Sequence, residues 1–138
     1  MNQTPSLRDA SVQEIQLELI RRTRFNAFDG RAVYASLLRH RPLWLAVLLD
    51  RPGVPNYEEP SLLLLSGLIK LRDLPANLWN ADTLFVLTET RAQARQLARI
   101  AEGEDWAGEV QVYEDQRTID RSLGSGRREY GLLSVWWD

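Results

Sequence analysis

Two threonines and an arginine lie where an apolar run gives way to an amphipathic stretch. Thr88 ends the run that begins at Thr83, and Thr90 and Arg91 open the next stretch. In open α/β sheets, ligands bind beyond the carboxyl ends of strands, where hydroxyls and helix N–H groups can hold a phosphate or a carboxylate. Thr88, Thr90 and Arg91 are therefore a candidate ligand-binding site. Both threonines are also explained without a ligand, as a strand end and a helix cap.

A glycine-containing stretch near the C-terminus places Gly124 and Gly126 just before Arg127 and Arg128. Glycines let backbone N–H groups approach an anion, and arginines neutralise its charge, so Arg127 and Arg128 are further candidate ligand-binding residues. The stretch lacks the Gly-Lys-Ser/Thr of a P-loop and the third glycine of a dinucleotide fingerprint. It also follows a predicted helix, whereas those motifs follow a strand. The pattern favours a flexible connector.

Three arginines recur at helical spacing after this threonine pair. Arg91, Arg95 and Arg99 lie one turn apart on the face opposite the apolar stripe, and like charges at this spacing repel by a few tenths of a kcal/mol. An acidic partner would offset them, which makes these arginines a candidate partner-binding surface. Neighbouring acids such as Glu102 or Asp105 are the more economical explanation.

A second arginine group, Arg21, Arg22 and Arg24, follows the first predicted helix. It permits a nucleic-acid interpretation, but cations in the last turn of a helix also stabilise its negative end by ~0.3–1 kcal/mol without any partner. We prefer the second explanation. His40, between Arg39 and Arg41, has the chemistry of a general base. It has no serine or acid nearby in sequence to form a relay, and we expect a solvated residue at a helix end.

The composition excludes several classes of chemistry. The chain has 138 residues, no cysteine, one histidine and a formal net charge of -2. Disulfides and thiolate catalysis are thus ruled out, and we expect no metal site and no cofactor. The mild negative charge makes nucleic acid an unfavourable partner. With no signal-like start and no apolar run near the ~20 residues that span a bilayer, a cytoplasmic protein without membrane contact is expected.

The elements that position these residues centre on a predicted strand at 83–88. Its β-branched and aromatic residues are apolar on both alternating faces, as in strands covered on both sides. Thr90 and Gln93 have capping-box spacing, and a helix with an alanine-rich stripe follows, which Gly103 is predicted to close in a left-handed conformation. Another predicted strand at 110–113 implies a right-handed parallel crossover.

The N-terminal third is predicted to be helical. Residues 1–10 are expected to fray, Ser11 and Glu14 form a capping box for a first helix, and Asp29 caps a second helix that ends near His40. The apolar run 43–49 fits a strand, with a short helix from Pro42 as the alternative. The stretch 61–72 fits either a hairpin or one interrupted helix.

The C-terminal part completes the predicted fold. A weak helix over 114–123, ended by Gly124, precedes a strand over 130–137 whose alternating faces are both largely apolar. The fold class is therefore α/β or α+β, with two N-terminal helices followed by a mixed sheet that ends in a β-α-β-α-β unit. The length fits a single domain spanning residues 1–138.

No reactive constellation is apparent, and exposed arginines and tryptophans are frequent at protein interfaces. The sequence therefore favours a non-enzymatic binding or regulatory domain that recognises another protein. The alternative is a small phosphate- or nucleotide-binding domain.

Overall fold

A computed structural model describes residues 6–25, 27–50, 75, 81–124 and 129–137. Two helices flank a pair of short strands at the start of the chain, a short 3-10 turn at Arg41–Leu43 precedes the third strand, and strands and helices alternate from the fourth strand onward. The helices are α1 (Val12–Arg22), α2 (Gly30–Arg39), α3 (Arg91–Gly103) and α4 (Gln116–Leu123), and the strands are β1 (Arg24–Phe25), β2 (Phe28–Asp29), β3 (Ala46–Asp50), β4 (Thr83–Thr88), β5 (Glu109–Tyr113) and β6 (Gly131–Trp136).

The main sheet has the strand order β3-β4-β6-β5, and every neighbouring pair is antiparallel. The α+β alternative of the predicted fold class is thus confirmed, whereas the predicted mixed sheet is wrong for the strands described. β4 and β5 do run in the same direction, because each is antiparallel to β6, but β6 lies between them. The connection from β4 to β5 therefore passes over β6. The residue pattern of a strand shows which faces are apolar but not which strands lie beside it, so the sequence could not predict the place of β6.

The predicted strand and helix at the centre are confirmed. β4 spans Thr83–Thr88, and the Thr90 hydroxyl accepts a hydrogen bond from the Gln93 N–H at 3.1 Å. The predicted alanine stripe of α3 is buried against β4, β5 and β6. Gly103 does not adopt the predicted left-handed conformation: it is the last residue of α3, the C-cap Glu104 has φ -93°, and positive φ values occur only further on, at Asp105 and Ala107. Gly124, by contrast, ends α4 with φ 68°.

The two opening helices form, and an unpredicted hairpin joins them. Ser11 and Glu14 make both hydrogen bonds of the predicted capping box, and the Asp29 carboxylate caps α2. Between the helices, β1 and β2 form a two-stranded antiparallel ribbon. Strands of two residues are too short to produce a hydrophobic period, so no residue pattern indicated this ribbon.

The apolar run 43–49 contains parts of both predicted alternatives. Pro42 lies in the 3-10 turn, and the strand begins at Ala46. The alternatives for 61–72 lie outside the described residues. At the N-terminus, residues 6–9 form a turn in which the Asp9 N–H donates to the Ser6 carbonyl at 3.0 Å, and residues 1–5 are likewise outside the described part of the chain.

The predicted C-terminal strand occupies an interior position of the sheet. β6 pairs with β4 on one side and β5 on the other, and Leu133, Val135 and Trp137 have no solvent exposure. The Trp137 indole packs on Phe28 with ring centroids 4.1 Å apart. Its Nε1 donates to the Trp106 carbonyl at 2.6 Å. This tryptophan therefore joins the hairpin, the sheet and the loop after α3. None of the helices described combines the length with the apolar character that a membrane-spanning helix requires.

Candidate anion-binding site

At the predicted ligand site at the end of β4, the two threonine hydroxyls form hydrogen bonds within the protein. The buried Thr88 hydroxyl donates to the Thr90 carbonyl at 2.6 Å, and the Thr90 hydroxyl caps α3. Gly131 packs against this turn so closely that a Cβ on it would lie 2.3 Å from the Thr88 hydroxyl oxygen. The hydroxyls that a ligand would contact are thus already used in internal hydrogen bonds.

Two of the three predicted partner-binding arginines converge on one glutamate. Arg91 donates to the Glu114 carbonyl at 3.0 Å, and Arg95 donates to the Glu114 carboxylate at 2.9 Å. The predicted intramolecular acid is therefore Glu114 after β5, whereas the sequence had suggested acids nearer to α3. Arg99 has no ion pair with any residue that the structure describes. Arg127 and Arg128 lie outside the described residues.

His40 belongs to a side-chain network that sequence spacing did not reveal. Its Nε2 lies 2.6 Å from Glu104 Oε2, and the same carboxylate accepts hydrogen bonds from Arg39 and, at 2.8 Å, from the Ser36 hydroxyl. Arg39, followed by His40 and Ser36, lowers the pKa of Glu104 from 4.5 to about 2. The acid lies more than sixty positions away in sequence, so no local pattern pointed to it.

The order of groups in this network does not match a nucleophilic relay. A serine nucleophile needs the histidine as its proton acceptor, but the Ser36 hydroxyl donates to Glu104 and accepts from the Trp106 indole at 2.9 Å. Ser36 is also buried, with 1% of its surface exposed. The network therefore holds the end of α2 to the loop after α3.

A cationic cavity forms where α1, the β1–β2 ribbon and α2 meet. Gly30 starts α2 directly against the end of α1, and its N–H donates to the Thr23 carbonyl at 3.0 Å. A Cβ on Gly30 would lie 1.8 Å from the Ile20 carbonyl oxygen, so only glycine allows this approach. The contact brings the first turn of α2, with Arg31, beside the last turn of α1.

The described residues that line this cavity of about 640 Å³ are four arginines: Arg21, Arg22, Arg24 and Arg31. Arg21 and Arg22 share the carboxylate of Glu18. Hydrogen bonding to Arg21 is the largest cause that lowers the pKa of Glu18 from 4.5 to about 2, so this carboxylate stays ionised at neutral pH.

The remaining two arginines are less neutralised. Arg24 lies 4.0 Å from the Asp29 carboxylate, and no ion pair links Arg31 to a residue in the described ranges. Among the described residues, four arginines line the cavity and two carboxylates, Glu18 and Asp29, pair with three of them, which leaves an excess of positive charge. Guanidinium groups bind carboxylates and phosphates through paired hydrogen bonds, so the cavity has the chemistry of an anion-binding site.

Three of these arginines are recognisable as a group in the sequence, but the site is not. Arg21, Arg22 and Arg24 were assigned to the helix dipole, and Arg31 was not linked to them because the ribbon that reverses the chain was not predicted. Across the described residues, no group of three or more metal-ligating side chains occurs. No protein-family model, no curated protein and no solved structure matches this chain.

Proposed function

We propose that this protein is a non-enzymatic binding domain that recognises an acidic segment of another protein at the arginine cavity. The observation that carries the proposal is the convergence of four arginines from α1, β1 and α2 on one cavity, where two carboxylates among the described residues pair with them. Like charges held together repel, and an anionic partner would offset this repulsion.

The contacts of the potentially reactive side chains support a binding role. Ser36, His40 and Glu104 have the chemistry for acid–base or nucleophilic reactions, but they hydrogen-bond one another in a network that joins two parts of the fold. The arginines of the cavity, in contrast, are accessible: the side chains of Arg22 and Arg24 are 63% and 72% exposed. Exposed arginines suit recognition of a second protein, in whose interfaces arginine is enriched.

The start of α2 favours protein carboxylates over a phosphate. Phosphate sites at helix N-termini use free backbone N–H groups. Here the Asp29 carboxylate already accepts from the N–H groups of Arg31 and Ala32, at 3.2 and 3.4 Å. The remaining donors are flexible guanidinium side chains, which can follow an extended acidic segment. The formal net charge of -2 disfavours a nucleic acid, whose binding rests on phosphate neutralisation.

A comparison of three probes tests this function. A hexaglutamate peptide, inorganic pyrophosphate and a short DNA duplex would each be titrated into the full chain at low and at physiological ionic strength. We expect the peptide to bind most tightly and its affinity to fall with added salt, since the contacts are between exposed charges. Tighter binding of pyrophosphate would instead favour a phosphate-binding domain, and binding of none of the three would contradict the proposal.

A further inference from the structure

The two edge strands of the main sheet, β3 and β5, differ in how their outward backbone groups are hydrogen-bonded. At the β3 edge, the Gln13 side chain accepts from the Val47 N–H at 2.8 Å and donates to the Val47 carbonyl at 3.0 Å. Gln16 accepts from the Leu49 N–H at 2.9 Å. These amides from α1 occupy the places of a neighbouring peptide, and they protect this edge from strand pairing.

The opposite edge, at β5, has no such cover in the described part of the chain. Hydrogen bonding alternates along an antiparallel ladder. Because Val47 and Leu49 point their N–H groups away from β4, this alternation can be followed across the register of the sheet. It directs the N–H and C=O groups of Glu109, Gln111 and Tyr113 toward β6, and those of Val110 and Val112 outward. No hydrogen bond joins these outward groups to a described residue.

The side chains along β5 indicate which strand would fit this edge. Val110 and Val112 lie half-buried on the face covered by α3, whereas Glu109 and Gln111 are exposed on the other face. Two further exposed carboxylates, Glu102 and Asp105, belong to the segment that leads into β5, and none of these three acids has an ion pair among the described residues.

We propose that β5 is a strand-addition site for an extended segment of a partner protein in which apolar and basic side chains alternate. The backbone of the segment would pair with Val110 and Val112, its apolar side chains would extend the covered face, and its lysine or arginine side chains would lie beside Glu109. Backbone hydrogen bonds supply the affinity in this mode of recognition, and alternate side chains supply the specificity. The proposal is independent of the arginine cavity.

A second copy of this chain fits the same edge less well. In the antiparallel register that pairs Val112 of one copy with Val112 of the other, Glu109 lies opposite Asp115, and like charges across a strand pair are destabilising. A segment that carries basic side chains avoids this repulsion and neutralises the carboxylates. Charge complementarity therefore favours a different protein as the occupant.

The test uses a synthetic peptide of alternating lysine and valine, with a glutamate–valine peptide as its charge control. In the full chain, the lysine peptide is expected to bind and to slow hydrogen exchange at the Val110 and Val112 amides. Val112→Pro removes one outward N–H, and proline is tolerated at such edge positions. It should weaken binding about tenfold, as the loss of one to two hydrogen bonds implies. Val112→Thr retains the N–H and should bind like the wild type.

The outcomes separate the alternatives. Protection at Val110 and Val112, with weak binding of the glutamate peptide, supports the proposal even if the proline variant fails to fold. Binding that is unchanged in a folded Val112→Pro protein, protection at other amides, or equal binding of both peptides would overturn it. Concentration-dependent dimerisation that Val112→Pro abolishes would also overturn it, since a second copy would then be the occupant.

Discussion

Gly30 lies so close to Ile20 that a Cβ on it would be 1.8 Å from the Ile20 carbonyl oxygen. This contact sets the end of α1 against the start of α2 and thereby places Arg31 beside Arg21 and Arg22. The arginine cavity therefore depends on the absence of one side chain, a dependence that the sequence alone did not reveal.

Replacement of Gly30 by alanine is expected to destabilise the protein by ~1–3 kcal/mol or more, because the added Cβ would overlap the backbone carbonyl groups of Ile20 in α1 and of Thr23 directly after it. Gly103→Ala is the matched control: a Cβ there meets nothing within 4 Å, and alanine in a helix is favoured over glycine by up to ~1 kcal/mol. Urea melts followed by circular dichroism measure both. Equal midpoints for Gly30→Ala and the wild type would contradict the close approach.

Loss of the Trp137 side chain should destabilise the fold by ~3–5 kcal/mol, because the indole is fully buried, packs on Phe28 and donates to the Trp106 carbonyl. Trp136 on the opposite face is only half-buried, so Trp136→Ala is expected to have a smaller effect. Urea melts of the two single variants compare them. A larger loss for Trp136→Ala than for Trp137→Ala would show that the face assignment of β6 is wrong.

The agreement between sequence and structure follows the range of the interactions. The Thr90 cap was predicted because its partner, Gln93, lies three positions away, and the alanine stripe was predicted because helical spacing alone shows which side chains of α3 share a face. The burial of β6 was predicted because the residues on both of its alternating faces are largely apolar. The strand order was not, since apolar patterns specify faces but not neighbours. Glu104 and His40 were not connected because 64 positions separate them.

The same limit applies to the arginine cavity. Arg31 joins the other three arginines only through a ribbon of two-residue strands and the Gly30 contact. Neither feature leaves a periodic signal, so the four residues could be identified one by one but not as a group.

The hydrogen bonds from Gln13 to the edge of β3 predict a local effect on hydrogen exchange and on stability. Gln13→Ala removes two hydrogen bonds to Val47, and we expect a loss of ~1–3 kcal/mol together with faster hydrogen exchange of the Val47 amide. Gln96→Ala, at an exposed position of α3, is the control and should change neither quantity. Unchanged exchange at Val47 in the Gln13 variant would contradict the proposed role of this side chain.

The two lowered carboxylate pKa values predict acid sensitivity. For Glu18 and Glu104, the pKa falls from 4.5 to about 2, so the unfolded chain binds more protons than the folded protein between these values. Stability from both groups is present above pH 4.5 and is lost as pH falls toward 2. Urea midpoints of the wild type should drop over this range, and Glu104→Gln should show a shallower drop. An equally steep decline in that variant would show that Glu104 does not titrate as described.

The most direct test of the central claim locates the binding of the acidic peptide. Hexaglutamate would be titrated into the wild type, into Arg24→Gln/Arg31→Gln, and into a control in which Arg91, Arg95 and Arg99 are all replaced by glutamine. All are surface changes, expected to alter stability by no more than ~0.5–1 kcal/mol.

We expect the double variant to bind about tenfold more weakly or worse, because it removes the two least neutralised guanidinium groups of the cavity, and the triple variant to bind like the wild type. Unchanged affinity in the double variant, with loss of binding in the triple variant, would contradict the account and move the recognition surface to α3.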